Sequence, residues 1–215
     1  MPSIYLSAST QEKNIGADGI PEETRMQALA RDIAPLLQTR SVLVYLNKPE
    51  YSLAQIIYNS NAKKPDLHLA LHSNAGGGSG TETWTYKLEG TKSVLFGKQL
   101  QKTVAGVLGL PDRGVRDGFA ASLGEIVGTD ATAVLCELFF HDNLSDIKAF
   151  NAKRAELINA IVEVTCNWFG LNRKSPEQKH IKELEIELMK EREGRRKAEL
   201  VLKDIGIAAA EWVIK

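Results

Sequence analysis

The chain has 215 residues, 43% hydrophobic and 25% charged, and its 27 basic and 27 acidic side chains cancel to a formal net charge of zero. That is enough for one sizeable core of roughly 150–200 residues, and the neutral balance makes no electrostatic case for nucleic acid or an anionic membrane as a partner. No run approaches the roughly 20 apolar residues of a membrane span. The N-terminus has neither the basic nor the apolar region of a signal peptide, so synthesis in the cytoplasm without a leader is the expectation. Cys136 and Cys166 lie in apolar stretches and read as buried thiols, not as a disulfide framework.

In chain order, residues 4–6 form a short apolar strand and 10–20 a polar, glycine-containing loop. Pro21-Glu22-Glu23 opens a helix whose apolar face is Met26, Leu29, Ile33, Leu36 and Leu37. Residues 41–46 read as a strand, 51–60 as a helix, and 67–72 as a strand in which Leu67, Leu69 and Leu71 alternate with His68, Ala70 and His72. The glycine-rich stretch 75–80 is too flexible for regular structure. A strand at 82–86, a helix at 92–108, a loop or short strand at 112–119 and a short helix at 122–127 follow. Residues 133–140 form a central strand, and helices are predicted at 144–150 and 153–168. Alternating strands and helices predict an α/β fold, a single twisted, mostly parallel sheet flanked by helices. This core spans residues 1–170. Residues 171–177 read as a linker, and 178–215 as a charged helical extension. Its Ile181, Leu184 and Leu188 seam is interrupted at Glu191 and Arg195, as in a solvated helix or a weak self-association arm.

Chemistry concentrates at strand and helix ends. His72 closes the strand at 67–72, Glu22 starts the first long helix, Glu137 interrupts Ala133-Val-Leu-Cys-Glu-Leu-Phe-Phe140, and His141 follows it. A carboxylate in a buried strand is costly unless paired or metal-bound. Desolvation raises its pKa, which suits a general base. Imidazole and carboxylate together are ordinary zinc ligands. Each residue also has a plainer reading: His72 as a hydrogen-bonded strand-end residue, Glu22 as a helix N-terminal acid, Glu137 as the partner of Arg113 or Arg116, and His141 as a loop residue bonded to Asp142.

The order of these motifs resembles a family. Glu22 on the first helix, Leu71-His72-Ser73-Asn74-Ala75, Gly80-Thr-Glu-Thr-Trp-Thr-Tyr86, Arg113-Gly-Val and Val134-Leu-Cys-Glu137-Leu-Phe-Phe-His-Asp-Asn143 are similar to the zinc-dependent N-acetylmuramoyl-L-alanine amidases of the Amidase_3 type, found in autolysins and phage endolysins. The resemblance covers residues 3–170. It implies that Glu22 and His72 are metal ligands, that Glu137 is the catalytic carboxylate, and that Asn74 and Arg113 bind substrate. It further implies zinc as cofactor, peptidoglycan as the partner, and hydrolysis of the bond between N-acetylmuramic acid and L-alanine once the protein is released to the cell wall.

One departure matters. The family carries Gly-His-Gly after the first strand, whereas this chain reads Leu6-Ser-Ala-Ser-Thr-Gln11, with no histidine before His68. His141 is the leading replacement ligand. His68 shares a strand face with His72 but lies four residues deeper, and Gln11, Glu12 or Asn14 would donate oxygen. The alternative function is a degenerate amidase fold that binds cell wall without cutting it.

Overall fold

The computed structural model describes residues 1–171 and 187–191, the latter an exposed helical piece. Most of the expected linker and of the charged extension lies outside the described residues; of its seam only Leu188 and Glu191 fall within them, and both are exposed.

Six strands build one sheet: β1 (Ser3–Ala8), β2 (Leu43–Leu46), β3 (Leu67–Asn74), β4 (Thr81–Thr85), β5 (Asp112–Asp117) and β6 (Thr132–Phe140), in the order β2-β1-β3-β6-β4-β5. All pairings are parallel except β4 with β6. The reversal follows from chain length. The loop between β3 and β4 is too short for the crossover that parallel neighbours need, and β4 lands on the far side of β6, running against it. The expected sheet is therefore mixed.

Strand alternation splits the side chains between two faces. Ile4, Leu6, Leu67, Leu69, Leu71, Val134, Cys136 and Leu138 point to a main core. They are covered there by α1 (Glu22–Thr39), α3 (Lys92–Leu108) and α5 (Leu144–Trp168) through Met26, Ile33, Phe96, Leu100, Phe150 and Ile161. The opposite face carries a small cluster of Ala70, Ala133, Leu135 and Ile126. Among the described residues, two short helices shelter it, α2 (Leu53–Lys63) and α4 (Gly124–Gly128). The functional residues lie on this thinly covered side, at the C-terminal tips of β1, β3 and β6, where ligands bind in open α/β sheets.

Two local differences from the sequence reading have simple causes. The helices expected at 144–150 and 153–168 are one continuous helix, α5, because Asn151-Ala152 does not break a helix whose start is capped by Asn143 accepting from Ser145 and Asp146 N–H. The glycine stretch is irregular but fastened. Asp142 Oδ2 accepts from the N–H groups of Gly76 and Gly77 at 2.7 Å, Asn143 donates to Gly78 O, and buried Asp146 accepts from Ser79 Oγ, Gly80 N and Phe140 N.

Candidate active site

His72 extends from the tip of β3, one alternation beyond Ala70, and lies on the face of α2 and α4. Glu22 reaches it from the first turn of α1, whose N-cap is Pro21. Glu22 Oε1 lies 3.0 Å from His72 Nδ1 and accepts from Ser73 N at 3.2 Å, while Oε2 accepts from Asn14 Nδ2 at 3.1 Å. Gln11, in the loop after β1, brings its side-chain amide to 3.3 Å from the same Nδ1, and its Oε1 accepts from Asn14 at 2.6 Å. Burial pushes the Glu22 carboxyl up, but His72, Asn14 and the Ser73 N–H together hold it below its usual value.

Glu137 is the register partner of His72 across the parallel β3–β6 pair, and of Glu82 across the antiparallel β4–β6 pair. Its Oε2 is sealed from solvent and has no hydrogen-bond partner among the described residues. Burial, with the nearby charges of Glu22 and Glu82 adding and His72 opposing, pushes its carboxyl up to about 7. Arg113 and Arg116 do not pair with it. Both turn to Glu82: Arg113 Nε donates to Glu82 Oε2 at 2.8 Å, Arg116 Nε lies at 3.8 Å, and Asn74 Nδ2 donates to Glu82 Oε1 at 2.9 Å. Asn74 and Arg113 thus stand at the rim of the site by holding a neighbouring acid.

His141 comes into the site through a bulge. Between the pairs His72↔Glu137 and Asn74↔Phe140, β6 spends one residue more than β3, which bends the strand. His141 N then donates to Asn74 O at 2.8 Å. A straight strand would carry the imidazole roughly 13 Å beyond Glu137. Instead Nδ1 lies 3.9 Å from Glu22 Oε2, and is engaged by Ser73 Oγ at 3.0 Å and Ser73 O at 3.1 Å. Asp142, the partner considered for it in the sequence, serves the glycine loop.

Beneath His72 lies a buried acid, Glu125 of α4. Its Oε1 accepts from Ser7 Oγ and from His68 Nε2 at 2.9 Å, and its Oε2 lies 3.8 Å from His72 Nε2. His68 is completely buried, stacked on Tyr5 with ring centroids 5.3 Å apart and held at Nδ1 by Ser60 Oγ. It takes no place in the open site. Burial would lower the His72 imidazole, but Glu125 and Glu22 raise it to about 10. A cavity of about 250 Å³ opens here, with His72 and Glu125 beside apolar Leu53, Ile56, Leu123 and Leu135.

The donor set can be tested for zinc. Among the described residues no three His, Cys, Asp or Glu side chains converge on one point. Two do approach each other: His72 Nδ1 and Glu22 Oε1 lie 3.0 Å apart, at hydrogen-bond distance and a little inside the roughly 3.3 Å between neighbouring ligands on a tetrahedral ion with bonds of about 2.0–2.1 Å. The third donor must come from outside that pair, and the Gln11 amide borders the same Nδ1. Around His72 stand the carboxylates of Glu22, Glu125 and Glu137, an excess of negative charge that suits a cation. His72 and Glu22 are thus two side chains of zinc-binding chemistry side by side, and no third His, Cys, Asp or Glu joins them among the described residues.

Comparison with known proteins decides the family. Residues 4–165 match the Amidase_3 family profile, described as N-acetylmuramoyl-L-alanine amidase. The chain belongs to the Amidase_3 family. An endolysin of Bacillus phage SPP1 is 30% identical over 174 residues, covering 74% of this chain and 62% of that protein. The N-acetylmuramoyl-L-alanine amidase CwlM of Bacillus licheniformis is 29% identical over 180 residues, covering 80% of this chain and 68% of its own length. The catalytic domain of CwlV, an N-acetylmuramoyl-L-alanine amidase from Bacillus (Paenibacillus) polymyxa var. colistinus, superposes with a TM-score of 0.71 at 22% identity, covering 80% of this chain and all of that one. The chain thus spans about two-thirds of the length of these two curated relatives.

Within this Amidase_3 site, sequence reasoning missed Glu82 and Glu125. Glu82 stands inside the quoted Gly80–Tyr86 motif, and alternation puts it on the same sheet face as Trp84. Glu125 carries a weaker signal: a histidine in the middle of an apolar strand, His68, requires a buried partner that sequence distance hides.

Proposed function

We propose that this chain hydrolyses the amide between N-acetylmuramic acid and L-alanine in peptidoglycan, with Glu137 as general base and Glu22 and His72 as metal ligands. The observation that carries the reading is Glu137 itself: a carboxylate in a hydrophobic strand, facing His72, with one oxygen unsatisfied. A carboxylate kept unpaired against its desolvation cost is arranged to take a proton. This also weighs against a fold retained only for wall binding. The family, and relatives named as amidases and as an endolysin, give the bond and the substrate class.

Zinc, when bound, supplies Lewis acidity toward the scissile carbonyl and acidifies water. The remaining work falls to the chain. Glu22 and His72 hold the ion between α1 and β3. Glu137, raised toward neutrality by burial, removes the proton from the attacking water and returns it to the departing L-alanine amine. Arg113 anchors Glu82, and its guanidinium, 37% exposed, faces substrate from the rim with Asn74. His141 reaches the ion only by giving up both Ser73 contacts. Gln11 would have to turn over its terminal amide and give up its one contact from Asn14, against two for His141, so it is the preferred third donor. The protein acts on the wall after release.

The test is product analysis. The purified chain should release stem peptides bearing new L-alanine amino termini from bacterial sacculi, with no new reducing sugar ends. A chelator should stop the release and added zinc restore it. New reducing ends, or intact sacculi in the presence of zinc, overturn the proposal.

A further inference from the structure

Two arginines on the edge strand β5 face a single acid, and register places them beside the site. Glu82 is opposite Glu137 across the β4–β6 pair, and Trp84 is opposite Leu135 there and opposite Arg116 across the β4–β5 pair. Side chains two apart on a strand share a face. Glu82, Trp84 and Arg116 therefore stand on the side of the sheet that carries Glu137. Among the described residues β5 has no strand on its outer flank, so a ligand can run over it from the site.

The two guanidinium groups are differently engaged. Arg113 Nε donates to Glu82 Oε2 at 2.8 Å, and its guanidinium lies 5.0 Å over the Phe140 ring. The other Glu82 oxygen accepts from Asn74 at 2.9 Å. Arg116 comes only to 3.8 Å from the same acid, beyond hydrogen-bond distance, and its side chain is 45% exposed. Among the described residues its guanidinium donates no hydrogen bond. One carboxylate cannot balance two guanidiniums, so a positive charge with free donors borders the site. The opposite border is different in kind. The cavity beside His72 is lined by apolar side chains and Glu125, with no cation, and repels an anionic group. An edge charge also deters sheet-to-sheet pairing, but that duty would leave turnover indifferent to Arg116.

The substrate class carries a matching anion. In the stem peptide L-alanine is followed by a γ-linked D-glutamyl residue, whose α-carboxyl is a free carboxylate in some walls and an amide in others. From Glu137 on β6 to β5 is two strand spacings, roughly 10 Å. Two peptide residues span at most about 7 Å, and the arginine side chain covers the rest. We infer that Arg116 receives the α-carboxylate of the residue after L-alanine, directs the stem peptide over β5, and favours walls in which that carboxyl is free over walls in which it is amidated. This rests on the amide-cleaving reading of the site. The planar fork of arginine meets both oxygens of a carboxylate with parallel N–H donors, whereas an amide offers one oxygen and no charge.

The experiment uses two synthetic muramoyl tripeptides, muramoyl-L-alanyl-γ-D-glutamyl-L-lysine and its twin with the glutamyl α-carboxyl amidated. The zinc-loaded wild-type chain should cut the acid form with a KM about 3–10-fold lower than the amide form, the scale of an exposed charge-assisted pair, and with similar kcat. The preference should shrink as salt is added. Arg116→Ala should erase it. Arg116→Lys should keep part of it, since the charge stays and the fork is lost. Lys153→Ala removes the same charge from α5 and should keep the preference whole, which separates a contact from a general field. Equal KM values in the wild type, or a preference that survives Arg116→Ala, would overturn the assignment. If neither tripeptide is cut, the amide-cleaving reading fails on its own. Calorimetric titration of both tripeptides into wild type and Arg116→Ala then judges Arg116: equal affinities in the wild type, or discrimination that persists without the arginine, refute it.

Discussion

Glu137 carries a charge where the surrounding strand is built for none, and this sets stability against activity. Its carboxyl is raised from 4.5 to about 7, first by burial. Below the unfolded value both states are neutral and the residue is harmless. As pH climbs toward the folded value the unfolded chain ionises more readily, and the folded state loses stability on the order of 3 kcal/mol. In metal-free protein, Glu137→Gln should therefore be markedly more stable than wild type at pH 8, and nearly equal to it at pH 4, in urea titrations with chelator present. Its amidase rate should fall by at least about 100-fold. A glutamine variant that is less stable at pH 8 would contradict this account. A second contrast concerns the third metal donor. Gln11→Ala should reduce zinc affinity at least about 10-fold, whereas His141→Ala, whose Nδ1 is spent on Ser73, should keep its zinc stoichiometry when assayed by metal analysis. Loss of zinc in His141→Ala alone would return the place to His141. At this scale the sequence was legible where a polar residue broke an apolar pattern, as at Glu137 and His72. It was not legible where the partner came from a distant element. Nothing near Arg113 in the chain signals that it holds Glu82, and nothing near His68 signals Glu125.

The secondary elements follow local rules, and their few surprises are tertiary. Helix α3 contains two glycines with opposite prospects. A Cβ at Gly97 would lie 2.5 Å from Thr85 Cγ2 on β4, while one at Gly106 meets nothing within 4 Å. Alanine gains about 1 kcal/mol of helix propensity over glycine at either position. Gly106→Ala should therefore raise the melting temperature by a few degrees. Gly97→Ala should lower it, because forced overpacking typically costs 1–3 kcal/mol. Thermal melts of the two single variants check this, and a stabilised Gly97→Ala would mean that α3 does not press on β4 as closely as described. The alternation in 67–72 and the apolar run in 133–140 made both central strands readable, and the helix read at 92–108 proves to run between two caps, Thr91 and Gly109. The direction of β4 was not, because a strand's sense depends on where its neighbours lie. Nor was the bulge in β6, which is visible only against the register of β3.

Taken whole, residues 1–171 form a sheet with one heavily clad face and one lightly clad face, and the chemistry occupies the tips beside the lighter one. That asymmetry tracks helix length: α1, α3 and α5 span 22–39, 92–108 and 144–168, against 53–63 and 124–128 for α2 and α4. The contacts that make the site span long stretches of chain. Ser73 meets Glu22 across 51 residues and His141 across 68, and His68 meets Glu125 across 57. Non-local pairings form slowly, because loop-closure entropy is lost before their contacts form. Docking of β6 onto β3 brings Glu137 to His72, so no part of the sheet lacking β6 holds the proposed base beside the proposed metal ligands. Turnover is consequently a clock for the end of folding. After dilution from denaturant with zinc present, far-ultraviolet circular dichroism should recover first and wall lysis only with the slowest phase. Catalysis returning ahead of the sheet signal would mean the site can assemble without it. On the function proposed above, the same ordering is a safeguard for a newly made chain: unfinished copies would carry no lytic power, and the ability to cut would arrive only with the last strand.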